Sequence, residues 1–299
     1  MKVFPHQAAA FEELVARAET YFDGKWREIT SLQTKFHTLV AGSSGTGKSR
    51  LMDFLAASVG ASALRIATPG WMPAGAHNRS VKETVSSIAS HIIAHDRTIL
   101  VLDEIDKIYK SGNVTDGGGG GGTDTGWLTY IRGEIYQILD GRFDPGMRSV
   151  TDDDDDSDVS MEQLSEKLRN SVFVVGIGTF QDFFDQSPKV PIGFGGSNES
   201  LQQIDAAEAA TRLPREMANR FHGGLVVLPP LEPQHYKHIA KQAAKSLPVW
   251  IQPAFLAAAY NRIEDAIASK KGVRFAEEAL LDALMATREP AHQPQPECT

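Results

Sequence analysis

Residues 42–49 read Gly42-Ser43-Ser44-Gly45-Thr46-Gly47-Lys48-Ser49, and the fold is read outward from them. The octapeptide fits the spacing G-x-x-x-x-G-K-[ST] at each fixed position: Gly42, Gly47, Lys48 and Ser49. A loop of this spacing wraps a polyphosphate with backbone N–H groups. It therefore needs residues that tolerate positive φ and close approach. In such a loop the lysine reaches the β- and γ-phosphates and the hydroxyl ligates Mg²⁺. ATP and Mg²⁺ are the expected cofactors, with Ser43, Ser44, Gly45, Thr46 and Arg50 completing the expected cradle. The other reading is a Gly/Ser-rich turn of no chemical consequence.

Context favours the loop. A phosphate loop follows a buried strand and opens a helix. Upstream, Phe36–Ala41 is a short β-rich run. Downstream, Leu51, Phe54, Leu55 and Val59 recur at helical spacing, and Gly60 is placed to end the helix. The phosphates would then lie at a helix N-terminus, where free N–H groups and the helix dipole favour anions.

Five apolar runs read as strands: Phe36–Ala41, Leu64–Thr68, Thr98–Leu102, Ser171–Ile177 and Gly224–Leu228. Helical patterns at 4–24, 48–59, 80–95 and 127–140 alternate with them. That alternation predicts an α/β fold, a five-stranded parallel sheet between helices. After Pro229-Pro230 three helical stretches follow without a strand, at 233–246, 252–269 and 274–287. The expected organisation is an α/β nucleotide-binding domain over 1–230, a small all-helical lid over 231–288 and a disordered tail over 289–299. Gly117–Gly122 and Asp152–Asp156 cannot bury apolar surface. Flexible loops are therefore expected near 111–126 and 146–165.

Composition narrows the class. The chain has 299 residues, 41% of them hydrophobic, enough for a sizeable core. A net charge of −8 carries no global basic footprint, so nucleic acid is not the expected partner. The single cysteine, Cys298, excludes an intrachain disulfide and a cysteine-rich zinc site. No run has the roughly 18 apolar residues of a membrane span, and no leader-like stretch opens the chain. The expectation is a soluble, cytoplasmic protein without a membrane partner.

A second motif supplies chemistry. Ile99-Leu100-Val101-Leu102 is a strand whose C-terminal end carries Asp103-Glu104. Ligands of open α/β sheets bind at that end. Asp103 is placed to hold the Mg²⁺ shell with Ser49, and Glu104 to act as general base on a water. Solvated acids at a strand end are the plainer alternative.

Glycine loop, strand-Asp-Glu and helical C-terminal domain together resemble an AAA+ ATPase, and more closely the ATPase core of the ClpX- and HslU-like unfoldases. The residues that carry the closer likeness are 103–108 (DEIDKI), 192–195 (IGFG), 214–221 (PREMANRF) and 270–284 (KKGVRFAEEALLDAL), in family order, with a weaker echo at Phe4–Gln7. The resemblance implies a ring of subunits, hexameric in the family, that hydrolyses ATP to remodel a protein substrate. It implies Thr179 as sensor 1 and Arg274 as sensor 2. It implies Arg220 as an arginine finger reaching a neighbour's site, with Arg212 and Arg215 close enough to be the finger instead. Ile192-Gly193-Phe194 matches the loop that docks on a ClpP-like peptidase.

The chain departs from the family twice. The zinc-binding N-terminal domain of ClpX has no counterpart in this sequence. The pore-loop triplet, which begins with an aromatic, aligns with Ala76-His77-Asn78. Trp71-Met72 lies upstream and either substitutes for the missing aromatic or anchors the core. A nucleic-acid-associated AAA+ protein, such as a replication loader or transposition regulator, would carry the same ATPase motifs.

Overall fold

A computed structural model describes residues 3–29, 35–73, 83–110, 124–143, 159–180, 215–269 and 271–287. The chain falls into two compact units. The first gathers Met1–Val3, Gln7–Ser43 and Lys48–Pro229. The second gathers Phe4–His6, Ser44–Gly47 and Pro230–Thr299.

The first unit is built on five parallel strands: β1 (Thr38–Ala41), β2 (Ser62–Ala67), β3 (Thr98–Asp103), β4 (Val172–Gly178) and β5 (Leu225–Val227). Their order is β2-β3-β4-β1-β5. The three central strands are buried along nearly their whole length, so they read as continuous apolar runs. β2, at an edge, alternates between half-buried and exposed positions.

Alternation along the central strands separates two cores. Leu39, Leu100, Leu102, Val172 and Val174 face one layer, packed by α4 (Thr84–Ala94), α6 (Asp124–Leu139) and α7 (Met161–Ser171). Val40, Ile99, Val101, Phe173, Val175 and Ile177 face the other, packed by α1 (Ala8–Asp23) and α3 (Lys48–Ser58). Both faces are covered, the α/β arrangement expected from the sequence. Short helices α2 (Trp26–Ile29), α5 (Lys107–Lys110) and α8 (Arg215–Ala218) join these elements.

Two loop expectations need correction. α6 starts at Asp124, inside the stretch expected as loop to residue 126. α7 starts at Met161, inside the stretch expected as loop to residue 165. Its start is set by a capping box: the Ser160 hydroxyl accepts from Gln163 N–H at 3.2 Å, and the Gln163 side chain accepts from Ser160 N–H at 2.8 Å. Gly117–Gly122, Asp152–Asp156, Ala74–Asn78, Ile192–Phe194, Arg212 and the 289–299 tail lie outside the described residues.

The second unit has its own core on α9 (Pro233–Ala244), α10 (Gln252–Ala268) and α11 (Arg274–Ala286). Tyr236, Ile239, Phe255, Ile263, Phe275 and Ala279 fill it. The small residues Ala259, Ala279 and Ala283 are fully buried where helices pack closely. Among the described residues, no helix is long and apolar enough to cross a membrane.

Candidate functional site

β1 delivers the chain into the glycine loop, and Lys48 opens α3. The Lys48 side chain is buried. Its Nζ donates to the carbonyls of Gly42 at 2.6 Å and Ser43 at 3.0 Å. The ammonium is thus folded back across the mouth of the loop at the helix N-terminus, where free N–H groups favour an anion. Gly45 and Gly47 have φ of 78° and 83°, a conformation that side chains resist.

The crest of the loop, Ser44–Gly47, belongs to the second unit. Gly45 O accepts the Val273 N–H at 2.7 Å. A Cβ on Gly272 would lie 2.2 Å from Gly45 O, so the two backbones touch with no side chain between them. His6 Nε2 donates to Thr46 O at 3.1 Å, and the His6 ring lies 5.6 Å from that of His235. Burial lowers the pKa of His6. The Thr46 bond opposes that shift, and His235 adds to it. The segment Phe4–His6, where the sequence carries a weak family echo, therefore contacts the loop crest.

β3 ends at Asp103, and its carboxylate is shared. Oδ1 accepts the Glu104 N–H at 2.8 Å, and Oδ2 accepts the Ser49 hydroxyl at 3.3 Å. Thr68, just past β2, donates its hydroxyl to Asp103 O at 2.9 Å. Ser49 and Asp103 offer two hard oxygens side by side. That donor set suits Mg²⁺, which takes one or two protein oxygens and fills its shell with water and phosphate. Glu104 has φ of 57°, left-handed for a non-glycine residue, so the chain turns sharply there. Its carboxylate is half exposed and pairs with Lys107 at 2.6 Å.

β4 lies beside β3 with Asp103 level with Ile177. Thr179 follows the end of β4. Its hydroxyl donates to Asp106 Oδ2 at 3.1 Å. The first unit therefore brings Lys48, Ser49, Asp103 and Glu104 to the C-terminal edge of the sheet, with Thr179 at the end of the adjacent strand. A family model, the ATPase family associated with various cellular activities (AAA), matches residues 38–187 of the 299, half of the chain. The chain belongs to the AAA family. No curated protein sequence matches it. The matched span carries the glycine loop after β1, both acidic residues and Thr179.

The remaining candidates of this AAA chain are placed as follows. Arg50 is exposed, and its guanidinium lies 5.6 Å from the Phe54 ring centre. Arg274 opens α11 in the second unit, exposed, one residue after the Val273 that bonds the loop crest. Arg215 is exposed at the start of α8.

Arg220 is held by its own unit. Its guanidinium donates to Asp140 Oδ2 at 3.2 and 3.3 Å and to Glu216 O at 2.8 Å. It also stacks over the Tyr136 ring at 4.2 Å. Lys35 pairs with the other oxygen of Asp140. Burial works to raise the pKa of Asp140, but hydrogen bonds from Lys35 and Arg220 outweigh it and hold the carboxyl below its usual range.

Trp71 is 2% exposed and belongs to the α4-side core. Its Nε1 donates to Glu134 Oε2 at 2.7 Å. Of the two roles open for Trp71, the core anchor is the one observed. Next to it, Met72 N–H donates to the Thr84 hydroxyl at 2.8 Å, and Thr84 N–H donates to Met72 O at 3.0 Å.

Sequence reasoning missed Thr68, Asp106 and Asp140. A third acid in Asp103-Glu104-Ile105-Asp106 was the available signal for Asp106. Nothing in the sequence marks Asp140 as the partner of Arg220.

Proposed function

We propose that this AAA protein hydrolyses ATP to remodel protein substrates as an oligomeric ring, in the manner of ClpX-type unfoldases. The observation that carries the reading is the approach of Ser49 to Asp103 at the edge where Glu104 turns out of β3. Loop N–H groups and Lys48 bind the polyphosphate. Bound Mg²⁺ would neutralise charge on the β- and γ-phosphate oxygens. Glu104 accepts a proton from the attacking water, and Thr179 helps orient that water. Arg274 meets the γ-phosphate from the helical lid, and Arg220 completes a neighbour's site, which makes the ring a requirement of activity. Ile192-Gly193-Phe194 would offer a hydrophobic anchor to a ClpP-like peptidase.

A second reading, a nucleic-acid-associated AAA+ protein, gains from one feature of the lid. Residues 233–263 contain no Asp or Glu, and α9 exposes Lys237 and Lys241, with Lys245 just beyond its end. These lysines lie four residues apart, on one helix face.

The test measures ATP turnover with unfolded protein, with single- and double-stranded DNA, and with neither. The unfoldase reading predicts that unfolded protein raises the rate and that solution mass rises with ATP. Stimulation by DNA alone overturns it in favour of the second reading.

A further inference from the structure

Asp106 is a buried carboxylate that the proposed chemistry does not use. It lies two residues past Glu104, at the entry to α5, and is 6% exposed. Its Oδ2 accepts two hydrogen bonds from the segment after β4: the Thr179 hydroxyl at 3.1 Å and the Phe180 N–H at 3.2 Å. Its Oδ1 is buried without a partner among the described residues. One residue earlier, Ile105 N–H donates to Ile177 O at 3.1 Å. The ends of β3 and β4 are thus tied together twice, once by backbone and once by Asp106.

Two features set this apart from ordinary core polarity. A buried carboxyl met, among the described residues, by neutral donors is an expensive way to hold two strands, because its oxygens give up strong hydration. The residues on both sides are also strained. Glu104 and Phe180 have φ of 57° and 44°, the two non-glycine residues with positive φ among those described. Such strain persists where surrounding contacts over-determine the backbone, and it clusters at functional sites. Gly178 leaves the space: a Cβ there would lie 2.8 Å from Asp106 Oδ1.

The consequence lies in the hydroxyl. Threonine has one O–H to donate and two lone pairs to accept with. Asp106 accepts the one Thr179 O–H, so the Thr179 oxygen has only acceptor capacity left for any third group. We propose that Asp106 is a positioning residue that commits Thr179 to act as a hydrogen-bond acceptor toward the attacking water, and not as a donor toward the γ-phosphate. The inference rests on the hydrolysis reading above. Glu104 and Thr179 then each accept one of the two water hydrogens. That leaves a lone pair of the water oxygen free to face phosphorus.

The experiment measures kcat, KM and nucleotide affinity for Asp106→Ala, Asp106→Asn, Thr179→Val and the Asp106→Asn/Thr179→Val double variant, with melting temperature as the control for folding. The expected result is a fall in kcat of roughly 10-fold or more for Asp106→Ala and for Thr179→Val, with ATP affinity held within about 3-fold, as for an interaction made only in the transition state. The double variant should be no slower than Thr179→Val alone, because both changes remove one device. Thr179→Ser, which keeps the hydroxyl, should recover most of the loss. Multiplying losses in the double variant overturn the proposal, as does normal kcat in a folded Asp106→Ala. If Asp106→Ala does not fold, the Asp106→Asn/Thr179→Val cycle decides by the same additivity criterion. A wild-type chain without ATP turnover, or an undiminished rate in Glu104→Gln, defeats the hydrolysis reading itself. Either result is distinct from a failure of Asp106 and Thr179 to couple in an active enzyme.

Discussion

The hydroxyl of Ser49 lies 3.3 Å from Asp103 Oδ2, across 54 residues of sequence. Ser49 is the second residue of α3, and Asp103 is the last of β3. Their meeting sets phosphate-loop chemistry beside strand-end chemistry and leaves Glu104 as the next residue along. Glu104→Gln should therefore keep nucleotide affinity while turnover falls by about 10²-fold or more, the usual worth of a general base. Parallel titration with a fluorescent nucleotide and a phosphate-release assay separates the two quantities. Loss of both together would mean that Glu104 supports the loop and not the reaction.

Arg220 enters any neighbour's site only by leaving, or stretching from, the grip of Asp140, Glu216 O and the Tyr136 ring. Arg220→Ala should abolish turnover. Mixing it with Lys48→Ala should restore part of the rate, since each subunit then lends what the other lacks. Activity of the mixture is read against each variant alone at equal total concentration. No recovery from subunits shown to co-assemble would confine Arg220 to its local network and pass the finger role to exposed Arg215 or to Arg212.

Trp71 packs in the core and donates to Glu134. Trp71→Ala should destabilise the first unit by about 3–5 kcal/mol, the range for removing a large buried aromatic. Trp71→Phe, which loses mainly the N–H, should cost about 1 kcal/mol. Denaturant midpoints measure both. A substrate-processing defect in a Trp71→Phe protein of normal stability would be the sign of a gripping role.

Burial pushes the pKa of His37 down from 6.5 to about 4, and its Nε2–H donates to Leu139 O at 2.8 Å. The unfolded chain takes up a proton here below pH 6.5, and the folded chain does so only near pH 4. Stability from neutral His37 is whole above the unfolded pKa. It is lost as pH falls toward the folded one, at up to about 1.4 kcal/mol per pH unit. His37→Gln keeps a donor for Leu139 and removes the titration. Unfolding free energies of the two proteins should converge between pH 7 and pH 5 by about 2 kcal/mol. A constant gap would show that His37 does not carry this dependence.

Gly60 and Gly272 share a φ of 64°, but only Gly272 touches another backbone. Gly60→Ala should cost about 1–2 kcal/mol, the strain of a left-handed side chain. Gly272→Ala bears the same strain plus a collision with Gly45. It should also raise the exchange rate of the Val273 amide, which hydrogen exchange reads directly. Equal costs and an unchanged Val273 amide would show that the Gly45 contact contributes nothing.

The strands were legible because a doubly covered parallel sheet demands unbroken apolar runs. Ile99–Leu102 and Phe173–Ile177 are such runs, and each observed strand falls within two residues of its expected bounds. The phosphate loop was legible because its chemistry fixes residue types at fixed spacing. Strand order was not legible, since spacing along a chain does not say which strand β1 will lie beside. The start of α7 was hidden in a polar stretch, although Ser160 and Gln163 hold the capping spacing. The tether of Arg220 depends on Asp140, 80 residues away, and the burial of Trp71 depends on α6. Contacts of that range are set by packing, which no local pattern records.

Met72 and Thr84 exchange two hydrogen bonds, which close a neck between residues twelve apart in sequence. A neck of this kind meets the cost of closure at its base, and added length then costs only slowly more. Exchanging or lengthening the sequence between Met72 and Thr84 should therefore leave the sheet and α4 in register. Ala76-His77-Asn78, where the sequence departs from the aromatic pore-loop triplet, falls between these two residues in sequence. Sequence between the two residues of such a neck can vary while the frame that carries Ser49 and Asp103 keeps its geometry.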